Sequence, residues 1–265
     1  MAITLQNIFD NFLNKKSYSI IRLGNVEAST IYNKIEYENL DKTQLKTNAG
    51  FYGTKDDYIF WKNQFIKALY NCDARMKVIT CDSFIICDYL FNDLNIWKPT
   101  IPYVESPEIY ISLINAITKT KRVCIVNYFK DEIDEQLPII NKVWNDKYNI
   151  NYKNINVVKS QNTCFTQPHN GYKETFEDLC KRVYNKDIKY YMVGCGIYGV
   201  SLCQYIKEQG GNALYVGGLL PTIFGIGGRR FDKRKDIMKH FNMYWKYPPK
   251  KYHKEFEKIE NGCYI

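Results

Sequence analysis

The stretch "KYYMVGCGIYGVSLCQYIKEQGGNALYVGG", Lys189 to Gly218, decides the fold. It opens with a near-continuous apolar run, "KYYMVG". It continues with helical spacing in "IYGVSLCQYIKEQGG", which ends on Gly210–Gly211, a helix-stop signal. It closes with a second apolar run, "NALYVGG". Apolar runs without polar alternation mark strands buried on both faces. Strand, helix and strand in that order belong to a parallel sheet covered by helices.

The same alternation runs through the chain. Further strands are expected at "SIIRL" (Ser19 to Leu23), "KVIT" (Lys77 to Thr80), "RVCIVNY" (Arg122 to Tyr128) and "INVVKS" (Ile155 to Ser160). An amphipathic helix is expected at the N-terminus, where no signal-peptide pattern is visible. Another is expected from Asp56 to Asn71, with Ile59, Ile66, Leu69 and Tyr70 at helical spacing. "SPEIYISLINAITKT" has Ser106 as a cap and Pro107 at the first helical position. Pro138 should kink or divide "KDEIDEQLPIINKVWNDKY". "YKETFEDLCKRVYN" groups Phe176, Leu179, Cys180 and Val183 on one side. The fold class expected is therefore α/β: a Rossmann-like, mostly parallel sheet with helices on both faces. One such domain over residues 1–265 carries a basic C-terminal segment, 229–265.

Composition bounds the environment. Nine cysteines, none in a C-x-x-C pair, read as buried free thiols of a cytoplasmic, reducing setting. No apolar run nears the roughly 20 residues that span a bilayer. The net charge is +9, and the segment from Arg229 to Lys258 carries eleven basic against four acidic residues. Such a segment suits an anionic partner or forms a solvated face.

In parallel sheets, ligands bind beyond the carboxyl ends of the strands. Three strand ends carry suitable chemistry. The first is Gly24–Asn25–Val26–Glu27, just after Arg22. A carboxylate beside an amide oxygen can hold Mg²⁺ or Mn²⁺, although Asn25 as a helix cap and Glu27 in the first turn is the simpler local use. The second is G-C-G-I-Y-G, with Gly194, Gly196 and Gly199 between strand and helix. No acid follows at the next strand end to hold a ribose, which argues against an NAD enzyme and, less strongly, against a methyltransferase. Close helix–strand packing would also use those glycines. The third is "GGLLPTIFGIGGRRFD", where Gly217 and Gly218 are followed by Arg229 and Arg230. Guanidinium groups beside open backbone suit a diphosphate, and a surface loop needing positive φ is the alternative. Lesser candidates are Asn48 in "TNAGFYG", Asp82 after "KVIT", and His169 in "QNTCFTQPHNGY".

Taken together, "SIIRLGNVEAS", "TNAGFYG", the block from Tyr191 to Asp232 and the ending "EKIENGCYI" resemble bacterial and viral GT-D-like glycosyltransferases. The resemblance implies a Rossmann-like fold and sugar transfer from a nucleoside diphosphate, for which UDP is expected, to a glycan or other hydroxyl acceptor. In that family an Asp-x-Glu at a strand end binds the donor's metal. Here the motif falls on Asn25 and Glu27, so a neutral amide stands where the first acid is expected. The implied cofactor is Mn²⁺ or Mg²⁺ held by Asn25 and Glu27. The strand-end residues Arg22, Gly24, Asn48, Gly194, Gly196, Gly199, Gly217, Gly218, Arg229 and Arg230 are then the expected donor site, Glu27 and Asn25 the expected catalytic pair, and Asp82 and His169 the candidates for the base that serves the acceptor. Two other functions compete: another nucleotide enzyme such as a methyltransferase, and a non-catalytic nucleotide or polyanion binder. Nucleic acid is a poor fit, because no basic–aromatic repeat of a known module is present.

Overall fold

The computed structural model describes residues 4–78, 85–103, 105–252, 256 and 262. Seven parallel strands form one sheet, in the order β3-β2-β1-β7-β6-β4-β5. They are β1 (Tyr18–Arg22), β2 (Ala74–Lys77), β3 (Thr100–Pro102), β4 (Val123–Asn127), β5 (Ile155–Lys159), β6 (Tyr190–Gly194) and β7 (Asn212–Tyr215). The α/β class expected from the alternation is what the chain adopts. Successive residues of β4 show why its run is unbroken. Val123 and Ile125 enter one core, while Cys124 and Val126 enter the other, and none is exposed.

One face is covered by α1 (Leu5–Asn14), α5 (Pro107–Thr118), α6 (Lys130–Gln136), α7 (Ile140–Val143), α10 (Leu220–Ile223) and α11 (Lys235–Met238). The other is covered by α2 (Asn25–Tyr32), α3 (Lys55–Asn71), α4 (Ile85–Asp93), α8 (Tyr172–Val183) and α9 (Gly199–Glu208). Pro138 divides its helix as expected, with a 3-10 turn at Leu137–Ile139 between α6 and α7. Ser106 stands at the cap position of α5 but its hydroxyl makes no capping bond, so Pro107 alone marks that start. The turn preceding Gly50 is a π-helical one, Leu45–Ala49.

Three expectations need correction. The strand expected at Lys77–Thr80 is described at Ala74–Lys77, with Val78 outside it and Ile79 and Thr80 outside the described residues. Its charged residues Arg75 and Lys77 both pair with Asp88 of α4, so a strand can form where no apolar run is visible. β3 was not expected at all. It is three residues long, occupies a sheet edge, and tolerates Pro102 because an outer strand need not donate there. On α3, the inward face is Tyr58, Trp61, Phe65, Ala68 and Leu69, whereas Ile59 and Tyr70 are about half exposed, at 46% and 50%. Thr54 and Asp57 close a reciprocal capping box that starts this helix.

The chain order reverses between β1 and β7: the chain leaves β1 toward β2, and β7 fills the other side. That reversal leaves a crevice at the carboxyl edge.

Candidate functional site

A cavity of about 420 Å³ opens at that crevice. Its lining comes from the carboxyl ends of β1, β3, β4, β5, β6 and β7, with the 44–49 turn and part of the C-terminal segment added.

The β1 end supplies its charge. Arg22 is the last residue of β1, and its guanidinium lies over the Tyr103 ring, 4.6 Å from the centroid. Tyr103 is fixed in turn, because its hydroxyl donates to the Val216 carbonyl at 2.9 Å. Burial pushes the Tyr103 phenol above its usual range, while Arg22, Arg230 and Arg234 pull it back. The Glu105 carboxylate opposes those guanidinium groups and pushes the phenol up together with burial. Arg230 is an exposed residue of the cavity wall. Arg234 pairs with Glu105 and Asp236, which holds its guanidinium firmly charged. Gly217 follows β7 with φ +71, and a methyl group there would stand 3.0 Å from Arg22 Nη1. The left-handed backbone favours glycine at that residue, and a methyl group there would also crowd the arginine.

Glu27 is buried in the first turn of α2, where the helix dipole favours a negative charge. Its carboxylate folds back over the helix start: a Cβ added to Gly24 would lie 2.1 Å from Glu27 Oε2. Gly24, not Asn25, is the cap residue, and no side chain caps this helix. Asn25 is the first helical residue, and its side chain is left to line the cavity. The charge of Glu27 also reaches the thiols of Cys87 and Cys164, both pushed up to about 12, chiefly by burial.

The β6 and β4 ends form the floor. Asn127 donates to the Gly194 carbonyl at 2.8 Å and accepts from the Phe129 amide at 2.9 Å, which ties the two strand ends together. Tyr215 donates to the Gly196 carbonyl at 3.1 Å.

The expected site residues divide by place. Arg22, Gly24, Asn25, Glu27, Asn48, Gly194, Gly196, Gly217, Gly218 and Arg230 all line the cavity. Gly199 does not. A Cβ there would stand 2.3 Å from the Tyr215 ring, so this glycine serves close packing of α9 on β7. Arg229 is exposed and outside the lining. His169 is also outside, held by Nδ1 at 3.0 Å from Thr175 Oγ1 near the start of α8. Asp82 lies outside the described residues. Nor is the block after β7 a surface loop: Leu220, Ile223, Phe224 and Ile226 are fully buried, and Gly225 and Gly227 press against Val143 and Phe241.

Sequence reasoning missed Tyr103, Glu105, Asn127, Gln161 and Asn162. The signal is positional: Tyr103, Glu105, Gln161 and Asn162 lie just beyond the ends of β3 and β5, and Asn127 is the last residue of β4.

Among the described residues, no three His, Cys, Asp or Glu side chains converge as a metal site. Glu105, the second acid in the lining, is engaged by Arg234. Glu27, itself engaged within the protein, and Asn25 bring one carboxylate and one amide oxygen to the lining. That set suits a hard cation only where phosphate oxygens complete its shell, which is a common arrangement for Mg²⁺.

Five of the seven cysteines among the described residues are buried, and all seven are free thiols. No helix among the described residues is long and apolar enough to cross a membrane. No protein-family model matches the chain, and no curated protein or solved structure matches it either.

Proposed function

We propose that the protein transfers a sugar from a nucleoside diphosphate donor, UDP in the first instance, to a hydroxyl acceptor. One observation carries this: Arg22, Arg230, Glu27 and the Gly217–Gly218 backbone share one cavity at the sheet's reversal point. The likeness of "RLGNVEAS" and the Tyr191–Asp232 block to GT-D-like enzymes supports it from residues alone.

Each group has a role in such a transfer. Arg22 and Arg230 bind the diphosphate through paired N–H donors. As the bond between the anomeric carbon and the diphosphate oxygen breaks, the acceptor oxygen bonds to that carbon and its proton passes to solvent or to the departing diphosphate; the negative charge that grows on the diphosphate is stabilised by the fixed guanidinium of Arg22. Tyr103 keeps Arg22 in place. The backbone at Gly196, Gly217 and Gly218 admits the donor close to the strand ends, while Gly194 lets its strand end pack against the Gly217 carbonyl and Leu220. Glu27 and Asn25 would hold a divalent cation, which when bound supplies further positive charge at the same diphosphate.

Titration calorimetry with UDP-sugars and GDP-sugars, with and without Mn²⁺, tests this. Saturable binding that strengthens with Mn²⁺ is expected, and Glu27→Gln should weaken the metal-dependent part by at least about 10-fold. Absence of binding by every donor under both conditions rejects sugar transfer. Unchanged Mn²⁺ dependence in Glu27→Gln removes Glu27 from the cation site.

A further inference from the structure

A second wall of the cavity differs from the one around Arg22. It is the segment Ser160–Cys164, which leaves the end of β5 at the sheet's edge. The Ser160 amide donates to the Asn127 carbonyl at 3.0 Å. Thr163 Oγ1 donates to the Gly50 carbonyl at 2.6 Å and receives the Tyr198 hydroxyl at 3.2 Å. The Cys164 thiol reaches the Asn48 carbonyl at 3.6 Å and feels the charge of Glu27. The segment thus runs from the sheet's edge back to the neighbourhood of Glu27, pinned at both ends.

What it shows the cavity is neutral and polar. Gln161 and Asn162 are half-buried lining residues, and Gln44 adds another carboxamide to the lining. Among the described residues, the Gln161 side chain has no hydrogen-bond partner, and Asn162 uses only its oxygen, toward the Cys164 amide at 3.3 Å. Ser160 is wholly buried and lines the cavity, yet its hydroxyl has no partner among the described residues. Buried hydroxyls are normally satisfied, so an orphan at a cavity wall marks a place where a ligand or water completes the bond. The one ionisable group of the segment, the Cys164 thiol, is held neutral near pH 7 by burial.

We infer that this wall is the subsite for the donor's sugar ring, and that it selects a neutral hexosyl group. A hydroxyl both donates and accepts, and a carboxamide offers both functions on one rigid plane, so vicinal hydroxyls match adjacent carboxamides. A phosphate would call for cations, and among the described residues this wall has none. A sugar carboxylate would meet no cation among the described residues of this wall and would approach Glu27. The subsite presupposes the nucleotide-sugar donor proposed above.

The test compares UDP and GDP, each alone and as its hexosyl derivative, together with UDP-glucuronate. Binding is measured on the wild type and on the double variant Gln161→Ala, Asn162→Ala. The wild type should bind at least one hexosyl derivative about 10-fold more tightly than the bare diphosphate, as two neutral hydrogen bonds allow. The variant should lose that advantage and keep the bare-diphosphate affinity. Should its melting temperature fall, Gln161→Ala alone takes its place, with a smaller loss of the same kind. The subsite is overturned if the advantage survives substitution, if hexosyl and bare forms bind the wild type equally, if the glucuronosyl form binds best, or if bare-diphosphate binding falls in parallel. A wild type that binds none of these compounds overturns the donor itself, and the subsite with it, which is a different result from any of the others.

Discussion

The two walls of the cavity are held in place by different means. Around Arg22 the functional groups are charged, and each is braced by a neighbour: the guanidinium by Tyr103, Tyr103 by the Val216 carbonyl, the Glu27 carboxylate by its own helix start. Along Ser160–Asn162 the groups are neutral, and the bracing falls on the backbone and on Thr163, leaving the amide of Gln161 to an outside partner. The first wall spends its rigidity on holding charge where water would otherwise scatter it. The second offers adaptable donors and acceptors at a fixed position. A ligand with a charged half and a hydroxyl-rich half matches both walls together.

Breaking the charged wall should have the larger effect. Arg22→Met keeps much of the bulk over Tyr103 and removes the guanidinium. Charge-assisted hydrogen bonds contribute about 1.5–3 kcal/mol, so diphosphate affinity should fall about 10- to 100-fold by calorimetry. An unchanged affinity would mean that the diphosphate binds elsewhere. The amide wall, by contrast, should change the preference among donors and leave diphosphate affinity alone.

A third substitution separates support from chemistry. Gly199→Ala places a methyl group 2.3 Å from a ring carbon of Tyr215, and Tyr215 braces Gly196 under the cavity. Crowding of this kind typically costs about 1–3 kcal/mol, readable as a shift in the urea midpoint. Because Gly199 does not line the cavity, ligand affinity in the folded variant should change less than in Arg22→Met. A variant as stable as wild type would show that Tyr215 can turn aside without loss.

The strands whose ends form the cavity floor were legible because both their faces are buried. In β4 and β6, each residue of the run enters one core or the other, and the apolar pattern has no gaps. β2 was displaced and β3 invisible for a related reason. In β2 the positions facing α4 hold Arg75 and Lys77, whose charges are balanced by Asp88, a partner that lies distant in sequence logic from any strand signal. β3 is too short to show a period and ends in proline.

The site follows the same division. Arg22, Glu27 and Gly217 could be found because glycine and charge interrupt apolar runs. Gln161 and Asn162 sit one step beyond β5 in a polar stretch where every residue looks like a loop, and His169 drew attention by its chemistry instead. Only the fold shows that the stretch turns back at Ser160 over the strand ends, while His169 has already left them. The glycines after β7 were ambiguous for another reason: open backbone for a ligand and close packing of side chains ask for the same residue. Gly217 beside Arg22 and Gly225 against Val143 are told apart by what a methyl group would strike.

The most direct measurement is the location of a bound nucleotide in crystals soaked with UDP and Mn²⁺. The expected result is diphosphate density between Arg22, Arg230 and Gly217, with any cation against Glu27 and Asn25. Nucleotide density at the opposite, amino edge of the sheet, in the smaller cavity lined by Tyr184, Lys189 and Gly210, would contradict it. So would the absence of any nucleotide density at saturating UDP.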